Sequence, residues 1–213
     1  VLKTAPQGMR ILSAEYLMTT VEPCDKMVGN IPEICYIGRS NVGKSSLINR
    51  LVMQKVARTS STPGATKAIN LYKVCYEFDG SREWVIFSDF PGFGYSKVAK
   101  STYRGWETMI DRYIRGNASI QKLVWAFDVR RDPDALDETV LEWITLSRLP
   151  FCLVLTKSDK EGRGYGQSKK ELLSRKFHTN KVFLFSAKDG YGKQEILSNL
   201  FTTLAVTKGI NLK

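Results

Sequence analysis

Gly38-Arg39-Ser40-Asn41-Val42-Gly43-Lys44-Ser45-Ser46 fits the pattern G-x-x-x-x-G-K-[ST] at every fixed position. An apolar run, Glu33–Gly38, precedes it and reads as a short buried strand; Lys44–Val52 follows and reads as a helix. Strand, glycine-rich loop and helix in that order make a phosphate cradle. The glycines let successive backbone N–H groups turn inward, and the helix start adds its positive dipole end. Lys44 then reaches the β- and γ-phosphates and the Ser45 hydroxyl sits on Mg²⁺. The whole stretch, from Gly38 through Arg39, Ser40, Asn41, Val42 and Gly43 to Ser46, is the expected phosphate-binding segment.

Outward from this loop, apolar runs alternate with amphipathic stretches. Ile69–Phe78 alternates as a strand, Asp79–Arg82 is a hairpin turn, and Glu83–Asp89 returns. Lys122–Asp128, Pro150–Thr156 and Lys181–Ala187 read as further strands. Helical spacing marks Tyr103–Arg115, Asp132–Leu149, Gln167–Phe177 and Lys193–Ala205, with Pro133 in an acidic first turn as a helix-start signal. Glu161–Lys170, with three glycines, looks the most flexible. The pattern predicts an α/β P-loop NTPase fold: a three-layer sandwich with a mostly parallel six-stranded sheet, one antiparallel strand, and helices on both faces.

The chain has 213 residues, 43% hydrophobic and 25% charged, enough for one sizeable core and short for two domains. Its net charge of +11 exceeds what solubility needs and points to a polyanionic partner, the other reading being a generally basic surface. Cys24, Cys35, Cys75 and Cys152 form no C-x-x-C pair, and the last three lie in apolar runs. Buried reduced thiols and a reducing compartment follow: the cytoplasm, or an organellar matrix if a targeting segment preceded Val1. No apolar run is long enough to span a bilayer, and no membrane partner is expected.

Mg²⁺ takes six oxygens and keeps several waters. The loop Ser61–Lys67 offers it Thr62 and Thr66. Asp89 ends a buried strand and is followed by Phe90-Pro91-Gly92; its carboxylate can hold Mg²⁺ through water while the Gly92 N–H meets the γ-phosphate. When the γ-phosphate leaves, both loops lose a partner, which makes an order–disorder switch. The base is read further along. Leu155–Lys160 and Phe185–Gly190 each follow a buried strand and open on the same sheet edge as the phosphate loop. Guanine presents N1–H and a 2-amino group side by side, and one carboxylate, Asp159, accepts both. Adenine would leave Asp159 unpaired. Lys157 lays its stem across the base, the Ser186 and Ala187 N–H groups meet O6, and Thr156, Ser158 and Phe185 frame them. GTP and GDP are the expected ligands. Residues 1–30 are then an N-terminal extension packing on the domain, 31–208 a single GTP-binding domain, and 209–213 a C-terminal tail.

Taken together, GRSNVGKSS, STPGATK, SDFPGFGYSK, LTKSDK and FSA resemble the EngB (YihA/YsxC) family, within the TrmE-Era-EngA-YihA-Septin-like group of GTPases, over about residues 30–205. Trp106–Gly116 and Trp125–Ile144, the latter with D-x-R after its strand, extend the likeness outside the nucleotide site. The resemblance implies a GTPase with slow hydrolysis that acts as a switch in large ribosomal subunit assembly and is linked to cell division and septation. Its partners would be large-subunit precursors and their rRNA. The family's Mg²⁺ ligands fall on Ser45 and Thr66, with Thr62 as loop scaffolding and Gly64, Ala65, Lys67 and Ala68 around the nucleotide. Thr156 stands where most GTPases carry Asn, and the family commonly has Thr there. Ala65 and Ala68 are less usual for it.

Many small GTPases place a Gln after D-x-x-G to orient the attacking water; here Phe93 stands there. Three arrangements remain open: backbone and a partner position the water, a partner inserts a catalytic group, or hydrolysis is vestigial. Lys44 and Asn41 are the expected catalytic residues. In related GTPases an Asn at the latter position coordinates K⁺, near where an arginine finger would act; the other reading of Asn41 is a hydrogen bond within the loop. Turnover on the order of 10⁻⁴ to 10⁻² s⁻¹ is expected by comparison with unassisted GTPases. Lys97, Lys100, Arg104, Arg112, Arg115, Arg130 and Arg131 form a candidate basic face, with Tyr95 and Tyr103 able to stack on bases and Trp106 read as core. His178 is a helix-end residue without catalysis. A rival class is a nucleotide-gated RNA- or protein-binding scaffold with negligible catalysis. A monomer is expected.

Overall fold

A computed structural model describes residues 10–23, 29–58, 68–78, 80–94 and 100–207; for 100–107 and 207 only the backbone is described. Seven strands form one sheet: β1 (Arg10–Thr20), β2 (Glu33–Gly38), β3 (Ile69–Phe78), β4 (Ser81–Asp89), β5 (Ile120–Asp128), β6 (Phe151–Thr156) and β7 (Val182–Leu184). The helices are α1 (Lys44–Val52), α2 (Lys100–Arg115), α3 (Ala135–Ser147), α4 (Arg163–Lys176) and α5 (Lys193–Thr207). The spatial order is β1-β3-β4-β2-β5-β6-β7. β3 runs antiparallel to both neighbours and the other pairings are parallel.

β2 is the central strand and all six of its residues are buried. Successive side chains leave a strand on opposite faces. Ile34 and Tyr36 accordingly enter one core, with Leu47, Ile48 and Leu51 of α1 and Ile196, Leu200 and Leu204 of α5. Cys35 and Ile37 enter the other, with Ile110 and Tyr113 of α2, Val140 and Ile144 of α3, and Leu173 of α4. Each fully buried Leu or Ile contributes roughly 1.5–3 kcal/mol of transfer free energy, so both faces of the sheet are anchored. Glu33 is the exception at the strand start, 2% exposed. Its carboxylate accepts from the Ser88 hydroxyl, Tyr113 Oη at 2.9 Å and Asn117 Nδ2 at 2.7 Å. Burial pushes its pKa up and these bonds oppose that. The cluster ties β2, β4 and the end of α2 together around a satisfied buried acid.

The sheet has seven strands where the sequence pattern predicts six. The additional one is β1, within the expected N-terminal extension. It pairs only with β3, none of its residues is fully buried, and its register slips between Ile11 and Ser13 and between Tyr16 and Met18. Bulges twist an edge strand away from further pairing, and they also break the alternation by which a strand is read. The stretch expected to be most flexible is instead the start of α4. Gly166 lies inside this helix because it packs on β7: a Cβ there would stand 3.3 Å from both methyl carbons of Leu184. His178 follows α4 with φ 49, and its N–H donates to Arg175 O at 3.3 Å, a left-handed helix stop. Cys35, Cys75 and Cys152 are buried free thiols, and Cys24 lies outside the described residues. No helix among the described residues is long and apolar enough to cross a membrane.

Candidate guanine nucleotide site

The carboxyl ends of β2, β4, β5 and β6 reach one sheet edge, since Tyr36 pairs Asp89, Gly38 pairs Ala126 and Asp128 pairs Thr156. At this edge Gly38–Gly43 turns from β2 into α1, whose first helical bond runs from Leu47 N–H to Gly43 O at 2.9 Å. Lys44 folds back into the loop: Nζ donates to Gly38 O at 3.1 Å and Arg39 O at 3.3 Å. Burial lowers its pKa while the Asp89 charge raises it. Phosphate oxygens can take over these two carbonyl contacts, which are the lysine's hydrogen bonds here.

Ser45 Oγ donates to Asp89 Oδ2 at 2.7 Å. The other oxygen, Asp89 Oδ1, is buried and has no hydrogen-bond partner among the described residues. Burial pushes the Asp89 pKa up, against Lys44 and Ser45. A carboxylate held by a serine, with one buried oxygen lacking a donor, suits a hard cation or its water. Ser45 and Asp89 therefore fit Mg²⁺. The third expected ligand, Thr66, lies with Thr62, Gly64, Ala65 and Lys67 outside the described residues; Ala68 immediately precedes β3.

The loop after Asp89 is locked to the phosphate loop. Arg39 and Phe93 form a parallel bridge, Ser40 N–H donates to Phe93 O at 3.0 Å, and Ser40 Oγ to Gly92 O at 3.2 Å. Phe90 and Phe93 are buried in the core, Phe90 edge-on to Tyr113 at 5.3 Å. Phe90 and Pro91 are thus buried, while Gly92 is half-buried and lies against Ser40 of the phosphate loop. Arg39 is also turned away from the cradle. Its Nε donates to Asp137 Oδ1 at 3.2 Å, and its guanidinium also bonds Asp134. Asp134 and Asp137 form the capping box of α3, which Arg131 bonds from the other side. Only the backbone of Arg39 is left to line the phosphate site.

Thr156, 2% exposed, shares its one hydroxyl proton between Val42 O at 2.6 Å and Phe127 O at 3.1 Å. It braces the phosphate loop from β6 through the Val42 carbonyl. Lys157, with φ 60, starts a 3₁₀ turn over Ser158–Lys160 that carries Asp159. Its Nζ donates to Asn41 O at 2.8 Å and lies 2.9 Å from Asp128 Oδ2. Ser158 N–H donates to Phe185 O at 3.1 Å, which joins the two turns expected to read the base. Ser186 N–H is already committed to Tyr191 O at 3.2 Å, leaving exposed Ala187 as the amide that can face O6. Ser46, on the first turn of α1, is half-buried. Asn41 is exposed with φ 59, and residues 59–67 lie outside the described residues.

A family model described as 50S ribosome-binding GTPase matches residues 33–157. The "Probable GTP-binding protein EngB" of Syntrophus aciditrophicus (strain SB) is 36% identical over 194 residues, covering 90% of this chain and 95% of the relative. This chain belongs to the EngB family of GTPases. The EngB relative from Pelotomaculum thermopropionicum is 39% identical over 194 residues, covering 89% of this chain and 94% of its own. Among solved structures, a probable GTP-binding protein engB superposes with a TM-score of 0.62 at 26% identity, covering 80% of this chain and 97% of that one. As an EngB GTPase the chain binds guanine nucleotide and hydrolyses GTP.

Asp128, a buried carboxylate at the end of β5 that touches Lys157, is a site neighbour that no nucleotide-binding sequence motif singles out. Its signal was an acid ending a buried strand at the ligand-binding edge, with Arg130 two residues on. The expected basic face is altered as well. Arg112 pairs with Glu22, Arg115 with Asp111, Arg130 with Asp128, and Arg131 with Asp134 and Asp137. These four cations are thus partly neutralised, while Lys97 and the side chains of Lys100, Arg104, Tyr103 and Trp106 lie outside the described residues, as does Tyr95.

Proposed function

We propose that this GTPase is a nucleotide-dependent switch on large ribosomal subunit precursors, contacting their rRNA, and that it couples subunit assembly to cell division and septation. The observation that carries this reading is the match of residues 33–157 to the 50S ribosome-binding GTPase family. The net charge of +11 supports a polyanionic partner. In this reading the phosphates lie on Gly38–Ser46, Asp159 and Lys157 hold the base with Ala187, and Ser45, Thr66 and Asp89 hold Mg²⁺. When bound, Mg²⁺ neutralises charge that develops between the β- and γ-phosphates. Lys44 binds those phosphates, and Gly92 reports whether the γ-phosphate is present. K⁺ at Asn41 is proposed as an accelerator.

Phe93 is buried and can orient no water with its side chain, so unassisted hydrolysis is slow and the particle supplies what is missing. The buried free thiols support a reducing compartment, the cytoplasm or an organellar matrix, and the protein acts as a monomer. Saturating large-subunit particles should raise the single-turnover GTPase rate at least about tenfold from an unassisted rate on the order of 10⁻⁴ to 10⁻² s⁻¹. An unchanged rate with bound particles would favour the rival scaffold, gated by nucleotide but without meaningful turnover.

A further inference from the structure

Asp128 is 6% exposed and ends β5 at the nucleotide edge. Nothing in the nucleotide account uses its atoms, yet its carboxylate draws donors from two sides. Arg130 Nε donates to Oδ1 at 2.9 Å, Arg130 Nη2 to Oδ2 at 2.7 Å, and the Arg130 backbone N–H to Oδ1 at 3.1 Å. From the opposite side comes Lys157 Nζ, 2.9 Å from Oδ2. Burial opposes ionisation of Asp128, but the bonds from Arg130 and Lys157 outweigh it and hold the carboxyl well below the usual carboxylate range. A full negative charge therefore stands beside Lys157. The same ammonium reaches Asn41 O at 2.8 Å on the phosphate loop.

A lysine stem has four rotatable bonds and loses much freedom when fixed. Here the ammonium is held at two points, one on β5 and one on the phosphate loop, and the backbone at φ 60 fixes where the stem begins. What remains is an ordered aliphatic wall beside the turn that carries Asp159. We propose that Asp128 is a positioning residue of the base site: it pins Lys157 against the phosphate loop so that the wall on which the base packs is formed before nucleotide arrives, and Arg130 steadies the pin. This rests on the assignment of Lys157 and Asp159 to the base. Preorganisation of this kind adds affinity. GDP and GTP carry the same base, so Asp128 strengthens both alike. It does not act on the hydrolytic step, and it does not choose between guanine and xanthine.

A double-mutant cycle in the full chain tests this, with Asp128→Asn, Lys157→Met and the pair, read by equilibrium binding of fluorescent GDP and of a non-hydrolysable GTP analogue. Asp128→Asn should weaken both ligands by about 10- to 30-fold, with kcat at saturating GTP within about threefold of wild type. Lys157→Met removes the pinned ammonium, so adding Asp128→Asn to it should cost less than about twofold further. A loss that persists undiminished in the Lys157→Met background, or wild-type affinity in Asp128→Asn, overturns the proposal. Should Asp128→Asn fail to fold, Arg130→Gln on the exposed side loosens the same carboxylate. It should weaken both ligands a few-fold in the wild type and leave Lys157→Met unaffected, and equal losses in the two backgrounds overturn the proposal. Wild-type protein that binds GDP no better than ADP would instead remove the base-site assignment, and the proposal with it.

Discussion

Asp159→Asn exchanges guanine for xanthine. Guanine offers N1–H and its 2-amino group to the carboxylate as two parallel donors. Xanthine keeps N1–H but has a carbonyl at the second position. An asparagine amide can accept from N1–H and donate to that carbonyl, whereas against guanine its NH₂ meets another donor. A site built to pair a polar edge rejects the mismatched partner by about 10⁴–10⁵-fold when a group is left unpaired. A fall in GDP affinity of at least about 10³-fold is therefore expected, with XDP rising toward the wild-type GDP value. Asp159 sits on the 3₁₀ turn after β6, joined through Ser158 N–H to Phe185 O, so the substitution should leave the fold intact. Competition of XDP and GDP against a fluorescent nucleotide measures it. Retained guanine preference would move the base pocket away from this turn.

Gly92→Ala should separate GTP hydrolysis from nucleotide binding. A Cβ at Gly92 would stand 2.6 Å from Ser40 Cα and 2.7 Å from Ser40 N. Both are backbone atoms of the segment held by the Arg39–Phe93 bridge, and neither can rotate aside. The two loops must therefore part by several tenths of an ångström at the point where Gly92 is proposed to face the γ-phosphate. Misplacement of about 1 Å near a reacting centre can cost about 10²-fold in rate. The expected result is a kcat about 10²-fold lower with GDP affinity within about threefold, because the proposed grip of α1 and Lys44 on the β-phosphate does not depend on Gly92. Single-turnover hydrolysis alongside GDP binding measures both halves. A wild-type rate would show that this loop does not sense the γ-phosphate.

What could be read before the structure was chemistry confined to contiguous motifs. The phosphate loop, Asp89 and Asp159 each lie at the end of an apolar strand, and parallel strands carry their ends to one edge, so their meeting there follows from topology. What could not be read arises between segments distant in sequence. Arg39 is a loop residue by position, but its partners are Asp134 and Asp137 at the start of α3, and no local pattern announces them. Asp128 and Lys157 meet because β5 and β6 are neighbours in the sheet. β1 escaped because its bulges and half-exposed surface erase the period of two. The start of α4 escaped because Gly166 satisfies a contact with Leu184 that a helix propensity scale counts as a penalty. Charge was legible as a sum but not as a surface, since the pairing of Arg112, Arg115, Arg130 and Arg131 depends on which acids the fold places beside them.

In the proposed function, nucleotide state controls attachment to the large ribosomal subunit. Co-sedimentation of the protein with purified large-subunit particles, with a non-hydrolysable GTP analogue or GDP across a salt series, tests it most directly. Binding should favour the GTP form by at least about tenfold and fall steeply with salt, as phosphate contacts require. Binding that ignores the nucleotide, or is absent at low salt, would contradict it.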